Sequence, residues 1–247
     1  MKIFVVIPTY NEAENLPALT ERLFSLPIAD LSLLIVDDNS PDGSGEVAER
    51  LAERSGGRMF VLHRSGKLGL GSAYIQGFER ALNLGAEAVC QMDADFSHPP
   101  EKIVELAHTL EDCDVALGSR YVPGGSLDER WPFWRRGLSA FGNVYARTIL
   151  GIPVRDVTGG FRLWRRATLK RMPLERVRSN GYIFQVEMIY LAHLLGFRAR
   201  EIPIHFADRR WGESKMSFKI QVEAAFRTWL LLWLYRDLHQ KRPLASP

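Results

Sequence analysis

Five short apolar runs alternate with amphipathic stretches over roughly the first half of the chain. The runs read KIFVVIP, LSLLIVDD, MFVLH, AEAVCQMD and CDVALGS. Consecutive apolar positions, many of them β-branched, are typical of strands that are covered on both faces. The stretches between them predict helices: Asn11 and Glu14 have the spacing of a capping box, Pro99 and Pro100 suit a helix start, and Gly85 suits a helix end. The alternation predicts an α/β fold with a Rossmann-like, mostly parallel sheet flanked by helices.

The second half of the chain does not show this regular alternation of apolar runs and amphipathic stretches. A Gly-, Pro- and Trp-rich stretch, RYVPGGSLDERWPFWRR, predicts a long loop, and GLSAFGNVYARTILG predicts a helix. A turn, a strand and a helix are predicted in DVTGGFRLWRRATLKRM, a helix in NGYIFQVEMIYLAHLLG and a strand in AREIPIHF. Since no low-complexity linker and no internal repeat divides the chain, we expect one domain over residues 1–215, followed by an amphipathic helix and tail over residues 216–247.

The C-terminal segment has an apolar run, TWLLLWLY, that is much shorter than the roughly 20 residues needed to cross a bilayer. Its aromatic residues Trp229, Trp233 and Tyr235 lie beside Arg227 and Arg236. This combination suits a helix lying in a membrane interface. The alternative is a helix packed on its own domain or on a partner chain.

Composition narrows the function classes only slightly. The chain has 247 residues, 46% of them hydrophobic, and a net charge of +3, which is too small to argue for nucleic-acid binding. Basic residues are more frequent after Arg120, so an anionic binding partner is one of the possibilities considered. The two cysteines, Cys90 and Cys113, lack metal-ligand spacing and are expected to be reduced core residues. The N-terminal apolar run is too short for a signal peptide, so we expect a cytoplasmic protein.

Polar residues follow three of the predicted strands: Pro8-Thr9-Tyr10, Asp37-Asp38 and Asp93-Ala94-Asp95. In open α/β sheets the carboxyl ends of the strands border the ligand crevice, so these groups should converge. Carboxylates in an Asp-x-Asp turn can hold a hard divalent cation that is shared with a substrate diphosphate. The alternative is that Asp93 and Asp95 only cap the following helix.

Several other stretches match no known catalytic or phosphate-binding motif, or they allow more than one interpretation. The glycines of SGKLGLGS fit neither a Walker A loop nor a complete GxGxxG fingerprint, and GxSxG and HExxH are absent. His98 before two prolines is interpreted as a structural turn residue. The aromatic and basic residues of RWPFWRR could stack on nucleic acid or lie at the depth of lipid headgroups.

Eight motifs, in this order along the chain, resemble those of family 2 glycosyltransferases with the GT-A fold, and more narrowly those of the dolichol-phosphate (polyprenol-phosphate) mannose synthases. They are VVIPTYNEAENL, IVDDNSPDGSGEVAE, GLGSAYIQGFERAL, QMDADFSHPPEKI, GSRYVPGG, DVTGGFRLWRR, GYIFQVEMI and EIPIHFADRRWGESKM. The resemblance covers the chain from Ile3 to about Met216 and implies inverting transfer of mannose from GDP-mannose to a polyprenyl (dolichyl) phosphate.

The resemblance also implies roles for individual residues. The nucleotide sugar would be bound by Pro8, Tyr10, Glu12, Val36, Asp38, Asp93, Ala94 and Asp95. Mg²⁺ or Mn²⁺ would be held by Asp95 with Asp93 and Ser97, although some relatives have Gln at the position of Ser97, and serine is a poorer ligand. Phosphates would be bound by Arg120, Arg209 (or its neighbour Arg210) and Lys215, and the acceptor phosphate by Arg135 or Arg136. Asp156 would order the acceptor loop or bind sugar hydroxyls, or else only cap its turn.

This inventory agrees with the implied chemistry. A phosphate monoester acceptor is already ionised near neutral pH, so it needs cations and positioning rather than a strong general base. A lipid-phosphate acceptor favours the membrane interpretation of RWPFWRR and implies a peripheral enzyme at the cytoplasmic face of the membrane, or one held there by a membrane partner protein. Two alternatives stay open: transfer from UDP-glucose or a UDP-N-acetylhexosamine to the same kind of lipid, and a non-catalytic subunit that binds a nucleotide sugar.

Overall fold

Seven strands form the main sheet, in the order β3-β2-β1-β4-β7-β5-β8, in a computed structural model that describes residues 1–208 and 218–239. The sheet strands are β1 (Ile3–Thr9), β2 (Leu31–Asp37), β3 (Met59–His63), β4 (Ala88–Gln91), β5 (Val115–Ser119), β7 (Arg162–Arg165) and β8 (Ala199–Pro203). Two short strands, β6 (Ser126–Leu127) and β9 (His205–Phe206), form a separate pair. The helices are α1 (Leu16–Phe24), α2 (Ser44–Arg54), α3 (Leu70–Asn83), α4 (Lys102–Thr109), α5 (Phe133–Leu150), α6 (Arg166–Arg171), α7 (Tyr182–Leu194), α8 (Phe218–Leu234) and α9 (Arg236–His239).

The register of the sheet brings the ends of several strands to one edge. Strand β1 pairs in parallel with β2 and with β4, so that Thr9 lies beside Asp37 and Val6 beside Gln91. Strand β7 is antiparallel to both of its neighbours, β4 and β5, and its first residue, Arg162, pairs with Gln91 and Leu117. The loop that precedes β7 therefore lies at the same edge as the carboxyl ends of the parallel strands.

A hydrophobic core covers each face of this sheet, because alternate residues of a strand point to opposite faces. In β1, Phe4 and Val6 face the core that contains α3 and α7, whereas Ile3, Val5 and Ile7 face the core that contains α1 and α4. The apolar strand runs of the sequence are thus explained by burial on both sides.

The five strands predicted in the first half are confirmed as β1 to β5, and Gly85 adopts φ of 89° just after α3, as a helix-ending glycine does. The predicted start of α1 is wrong. Asn11 has φ of 64°, outside the helical region, and the helix begins only at Leu16, so Asn11 and Glu14 form no capping box. The left-handed residue lets the chain turn away from β1 before the helix begins.

The predicted loop RYVPGGSLDERWPFWRR is also shorter than expected. Its last four residues form the first turn of α5, which begins directly after Pro132. The carbonyl of Pro132 accepts hydrogen bonds from the amides of Arg135 (3.0 Å) and Arg136 (3.2 Å). Proline fixes a backbone conformation that suits the entry to a helix, and Trp131 before it is buried and anchors the turn. Both cysteines are free and buried, as predicted.

Helix α8 packs on its own domain, which was one of the alternatives predicted from its sequence. It packs against α5 and α7, and Leu231 lies in the core together with Tyr235, which follows the helix. Its opposite side exposes large apolar residues, including Trp229 and Trp233. Within residues 1–208 and 218–239, every helix is too short or too polar to span a bilayer.

Candidate functional site

A cavity of about 540 Å³ opens at the carboxyl edge of the sheet, which is a size that suits a small-molecule ligand. It lies where the ends of β1, β2 and β4 meet the loop before β7 and the start of α7. Eight residues predicted from the sequence are among those that line it: Pro8, Tyr10, Glu12, Asp38, Asp93, Ala94, Asp95 and Arg120. The structure therefore brings together residues that are more than 100 positions apart in the sequence.

Asp93 and Asp95 lie on a turn that hydrogen bonds hold from several sides. Asp95 accepts hydrogen bonds at Oδ1 from the amide (3.0 Å) and the hydroxyl (2.6 Å) of Ser97. Asp93 accepts one at Oδ1 from the Tyr74 hydroxyl (3.0 Å), and its amide donates to Nδ1 of His98 (3.1 Å). The two carboxylates are thus positioned in the cavity wall by α3 and by the turn itself. Ser97 supports Asp95 and is not among the residues that line the cavity.

The donor set of this turn fits a hard divalent cation. Asp93 and Asp95 offer carboxylate oxygens, which are the ligands that Mg²⁺ and Mn²⁺ prefer. Among the residues that the structure describes, no group of three His, Cys, Asp or Glu side chains is arranged to hold an ion. Mg²⁺ commonly keeps water ligands and shares the oxygens of a substrate diphosphate, so two carboxylates from the protein are compatible with such a site.

His98 is buried between two aromatic rings. It stacks on Phe161, with ring centroids 5.2 Å apart, and meets the edge of Phe206 at 5.5 Å. Burial lowers the pKa of His98, although the nearby Asp93 and Asp95 oppose this effect. The neutral ring accepts the amide hydrogen of Asp93 at Nδ1, so its own proton lies on Nε2. His98 supports the carboxylate turn and also forms part of the cavity wall.

Arg120 and Asp156 form a buried, two-pronged ion pair. Nε of Arg120 donates to Oδ2 of Asp156 (2.8 Å), and Nη2 donates to Oδ1 (2.7 Å) and to the hydroxyl of Thr158 (2.7 Å). Burial by itself would lower the pKa of Arg120, but Asp156 outweighs it and the pKa is raised. Asp156 also accepts the amide hydrogens of Arg120 and Gly159, so it caps its turn. The guanidinium reaches the cavity in a fixed orientation, with its charge compensated from behind.

A second buried pair, which sequence reasoning missed, supports Asp38. Arg64, just after β3, donates a short hydrogen bond to Oδ1 of Asp38, and its Nη2 donates to the Ser72 hydroxyl (2.5 Å). Burial raises the pKa of Asp38, and Arg64 partly offsets that rise. Arg64 could have been predicted as a site residue, because it directly follows the predicted strand β3. The rule that site residues follow strand ends was applied only to β1, β2 and β4.

Lys67 is a further cavity residue that the sequence analysis did not single out. Its Nζ lies 3.8 Å from the centre of the Tyr10 ring, in a cation–π contact, and both residues line the cavity. The Gly-rich stretch that contains Lys67 matches no phosphate-binding motif in the sequence. Helix α3 begins within this stretch, at Leu70, and the stretch contributes Lys67, Gly69 and Leu70 to the cavity wall.

Besides Ser97, two predicted site residues do not line the cavity, and two more lie outside the described residues. Val36 is fully buried in the core, where it faces Gly77 of α3, and is not among the lining residues. Arg135 stacks on Trp131, 3.7 Å from the ring centre, with Nη1 3.7 Å from Oδ1 of Asp208, and it is not among the lining residues either. Arg209 and Lys215, like the alternative Arg210, lie outside the described residues.

Another part of the cavity wall comes from the second half of the chain. The first turn of α7 and the residues before it contribute, and α8 contributes Arg227. The lining residues at and just before the start of α7 are Asn180, Gly181, Tyr182, Ile183 and Gln185. The sequence analysis singled out GYIFQVEMI only as a motif and placed the C-terminal helix outside the site, because helical periodicity does not show which residues of a helix face a distant pocket.

A comparison with protein families decides the family of the chain. The family model for glycosyl transferase family 2 matches residues 4–172, more than half of the sequence. The chain belongs to glycosyltransferase family 2. The matched residues contain the turn with Asp93 and Asp95 and the Arg120–Asp156 pair.

Two curated proteins are similar to this glycosyltransferase over most of its length. The polyprenol monophosphomannose synthase of Mycolicibacterium smegmatis is 43% identical over 227 residues, which cover 92% of this chain and 85% of that protein. The undecaprenyl-phosphate mannosyltransferase of Micrococcus luteus is 43% identical over 224 residues, which cover 91% of each protein.

Solved structures confirm the fold predicted for the glycosyltransferase. Glucosyl-3-phosphoglycerate synthase from Mycobacterium tuberculosis, solved with Mn²⁺, UDP and glucosyl-3-phosphoglycerate, matches with a TM-score of 0.64 at 17% identity, over 99% of this chain and 81% of that one. A mannosyltransferase from Pyrobaculum calidifontis, solved with GDP-Man and Mn²⁺, matches with a TM-score of 0.58 at 18% identity, over 98% and 76% of the two chains. At these identities the likeness concerns the arrangement of the chain.

Proposed function

We propose that this glycosyltransferase moves mannose from GDP-mannose to a polyprenyl phosphate, with inversion at the anomeric carbon, and that the reaction depends on Mg²⁺ or Mn²⁺. The observation that carries the proposal is the identity of 43% to two proteins named for mannose transfer to polyprenol phosphates, over nine-tenths of the chain. The cavity supports it, because it offers the carboxylates that such a reaction would use.

The donor would occupy the wall built by the ends of β1, β2 and β4. Asp93 and Asp95 would hold the cation, with Ser97 keeping Asp95 in position. When bound, the cation would neutralise the diphosphate and so stabilise it as a leaving group. Tyr74 and His98 hold the carboxylate turn, and Asp38, braced by Arg64, would face the nucleoside. The Pyrobaculum calidifontis mannosyltransferase was solved with GDP-Man and Mn²⁺, which agrees with this choice of donor and ion.

The transfer needs no strong base from the protein. An oxygen of the ionised acceptor phosphate forms the bond to the anomeric carbon while the bond from that carbon to the diphosphate breaks, and GDP leaves. Negative charge is present on both phosphates throughout, so cationic side chains stabilise the transition state. We assign this role to Arg120, and retain Arg135, Arg209 and Lys215 as proposed phosphate-binding residues.

We also propose that residues 1–215 form the catalytic unit and that the C-terminal segment, residues 216–247, helps to dock it on the cytoplasmic face of a membrane. Helices α5 and α8 pack together, and each has large exposed apolar residues. Aromatic residues beside arginines suit the headgroup region of a bilayer. The exposed residues are Phe133, Trp134, Phe141 and Val144 on α5, and Phe226, Trp229, Leu230 and Trp233 on α8; we refer to them as the aromatic face.

The proposal is tested by following labelled mannose from GDP-mannose into a short polyprenyl phosphate, with Mg²⁺, with Mn²⁺ and with chelator. We expect transfer with one or both ions and none with chelator. Replacing Asp95 with asparagine should lower the rate by about two orders of magnitude or more, because the ion contributes several kcal/mol to the transition state. Asp112→Asn makes the same chemical change at an exposed surface pair and should leave the rate unchanged.

A binding measurement separates the donor from its competitors. GDP in the presence of Mn²⁺ should raise the unfolding temperature more than UDP does, since tighter binding to the folded state stabilises it by mass action. A larger shift with UDP, together with transfer from a UDP-sugar, would replace the proposed donor. Nucleotide binding without transfer to any polyprenyl phosphate would instead indicate a non-catalytic subunit.

A further inference from the structure

Helix α8 presents three different surfaces along its described side chains. Thr228 and Leu231 are buried against the domain, and Tyr235, the residue directly after the helix, continues this stripe. Positions 226, 229, 230 and 233, spaced as one side of a helix, carry the exposed part of the aromatic face. Arg227 lies between the two stripes and lines the cavity. A single helix therefore joins the outer apolar surface to the proposed active site.

The position of Arg227 is fixed by contacts on either side of it. Nε1 of Trp229 donates to the hydroxyl of Tyr145 on α5 (2.9 Å), and that hydroxyl lies 3.4 Å from the carbonyl oxygen of Ala225. The hydroxyl of Tyr235 donates to Oε1 of the buried Glu187 on α7 (2.7 Å). Because α8 is tied to α5 and α7 in this way, its cation is held at the cavity wall.

Arg227 differs from the other cations of the cavity in the element that carries it. Among the described lining residues, the cations are Lys67, Arg120 and Arg227. The charge of Arg120 is balanced by Asp156, and Lys67 lies over Tyr10 on the wall proposed for the donor. Arg227 is the cation that comes from the element bearing the aromatic face, where the tail of a lipid substrate would lie.

We propose that Arg227 binds the phosphate head of the lipid acceptor, and that the acceptor's hydrocarbon chain leaves the cavity along the aromatic face of α8. This inference rests on the proposed function. A guanidinium presents a planar fork of donors that matches phosphate oxygens, and such charge-assisted hydrogen bonds are among the stronger ones in proteins. The apolar stripe at positions 226, 229, 230 and 233 offers the surface that an isoprenoid chain needs.

The test measures the binding of a short, water-soluble prenyl phosphate by calorimetry, without a membrane and without donor. Arg227→Gln should weaken this binding about tenfold or more, the loss expected when hydrogen bonds from a charged group are removed. Arg227→Lys should recover part of the loss, since it keeps the charge but not the fork. Arg236→Gln is the control, because Arg236 is an exposed arginine that stacks on Trp233 and does not line the cavity. This variant should bind the prenyl phosphate as tightly as the native protein does. The affinity for GDP with Mn²⁺ should stay within about twofold in all three variants.

Two outcomes overturn the inference. Unchanged binding of prenyl phosphate by Arg227→Gln would remove Arg227 from the acceptor site, and a loss of GDP affinity instead would assign it to the donor diphosphate. Transfer is measured separately with the native protein: if it binds prenyl phosphate in an Arg227-dependent manner but transfers no mannose, the proposed function fails while the assignment of Arg227 stands. If the native protein does not bind prenyl phosphate at all, both are refuted.

Discussion

The replacement of Asp156 with asparagine tests how the cavity keeps Arg120 in place. Asparagine has nearly the same shape as aspartate, so the change leaves no void. It removes the negative charge and puts an NH₂ group where one carboxylate oxygen accepted hydrogen bonds from the guanidinium. The Arg120 side chain is 6% exposed and that of Asp156 is fully buried, so water cannot take over the lost interactions.

The expected loss follows from this burial. Removing one partner of a buried ion pair costs about 3–5 kcal/mol, because the other charge stays buried without compensation. Asp156 accepts the amide hydrogen of Arg120 at Oδ2 and that of Gly159 at Oδ1, so an asparagine loses one of these hydrogen bonds in either orientation, which adds to the penalty. We therefore expect the free energy of unfolding to fall by about 3–5 kcal/mol, a large part of the 5–15 kcal/mol that is typical of a domain.

Urea denaturation at neutral pH measures this difference directly. Glu105→Gln is the matched control, because Glu105 pairs with Lys102 at 2.5 Å on an exposed helix surface and should be worth only about 0.2–0.5 kcal/mol. A loss below about 1 kcal/mol for Asp156→Asn would refute the reasoning, since it would place the pair in the range of surface ion pairs.

The same pair predicts a pH dependence. Burial alone would raise the pKa of Asp156, but Arg120 outweighs burial and lowers it. A carboxyl whose pKa is lower in the folded state stabilises that state above its unfolded pKa, and this contribution is lost as the pH falls through the folded value. The difference between native protein and variant should therefore hold from pH 7 to about pH 4 and shrink below that.

Two further replacements test the supports of the cavity wall. Gly71→Ala should destabilise the fold by about 1–3 kcal/mol, because a Cβ there would stand 2.2 Å from the carbonyl oxygen of Ser179. Gly137→Ala is the control, because Gly137 lies on an open helix surface, and it should be neutral or slightly stabilising. Equal effects of the two replacements in a thermal melt would refute this account. Tyr235→Phe should cost about 1.5–3 kcal/mol in urea denaturation, because the buried Glu187 loses its 2.7 Å hydrogen bond; an unchanged midpoint would show that α8 is not tied to α7 through this contact.

The fold could be predicted from the sequence where the local pattern decides it. The apolar runs of β1 to β5 are buried on both faces, and their alternation with helices left few topologies open. The start of α1 could not be predicted, because Asn11 takes a left-handed conformation that the capping-box spacing does not reveal. The antiparallel direction of β7 was also missing from the sequence argument, since direction depends on which neighbours a strand meets and not on its own residues.

The candidate site was predictable to the extent that it follows strand ends. Asp38, Asp93 and Asp95 came from that rule and all line the cavity. Arg64 and Arg227 were missed as site residues because each reaches the site through a tertiary contact, Arg64 behind Asp38 and Arg227 from a helix near the end of the chain. For Asp156 the sequence left a choice between acceptor loop and turn cap, and the structure shows the turn cap together with the ion pair to Arg120.

The contacts of α7 connect the C-terminal helix to the carboxylate turn. On one side, Tyr190 of α7 meets the ring of Tyr235, with centroids 6.3 Å apart. On the other, Phe184 of α7 stacks on Tyr74, with centroids 5.7 Å apart, and the Tyr74 hydroxyl holds Asp93. Almost every residue of α7 is buried, and close-packed interiors transmit displacements rather than absorb them. If α8 docks on a membrane as proposed, the cavity is therefore held at a fixed orientation to the lipid surface. A flexible tether would not fix the orientation of the cavity to the membrane that carries the acceptor phosphate.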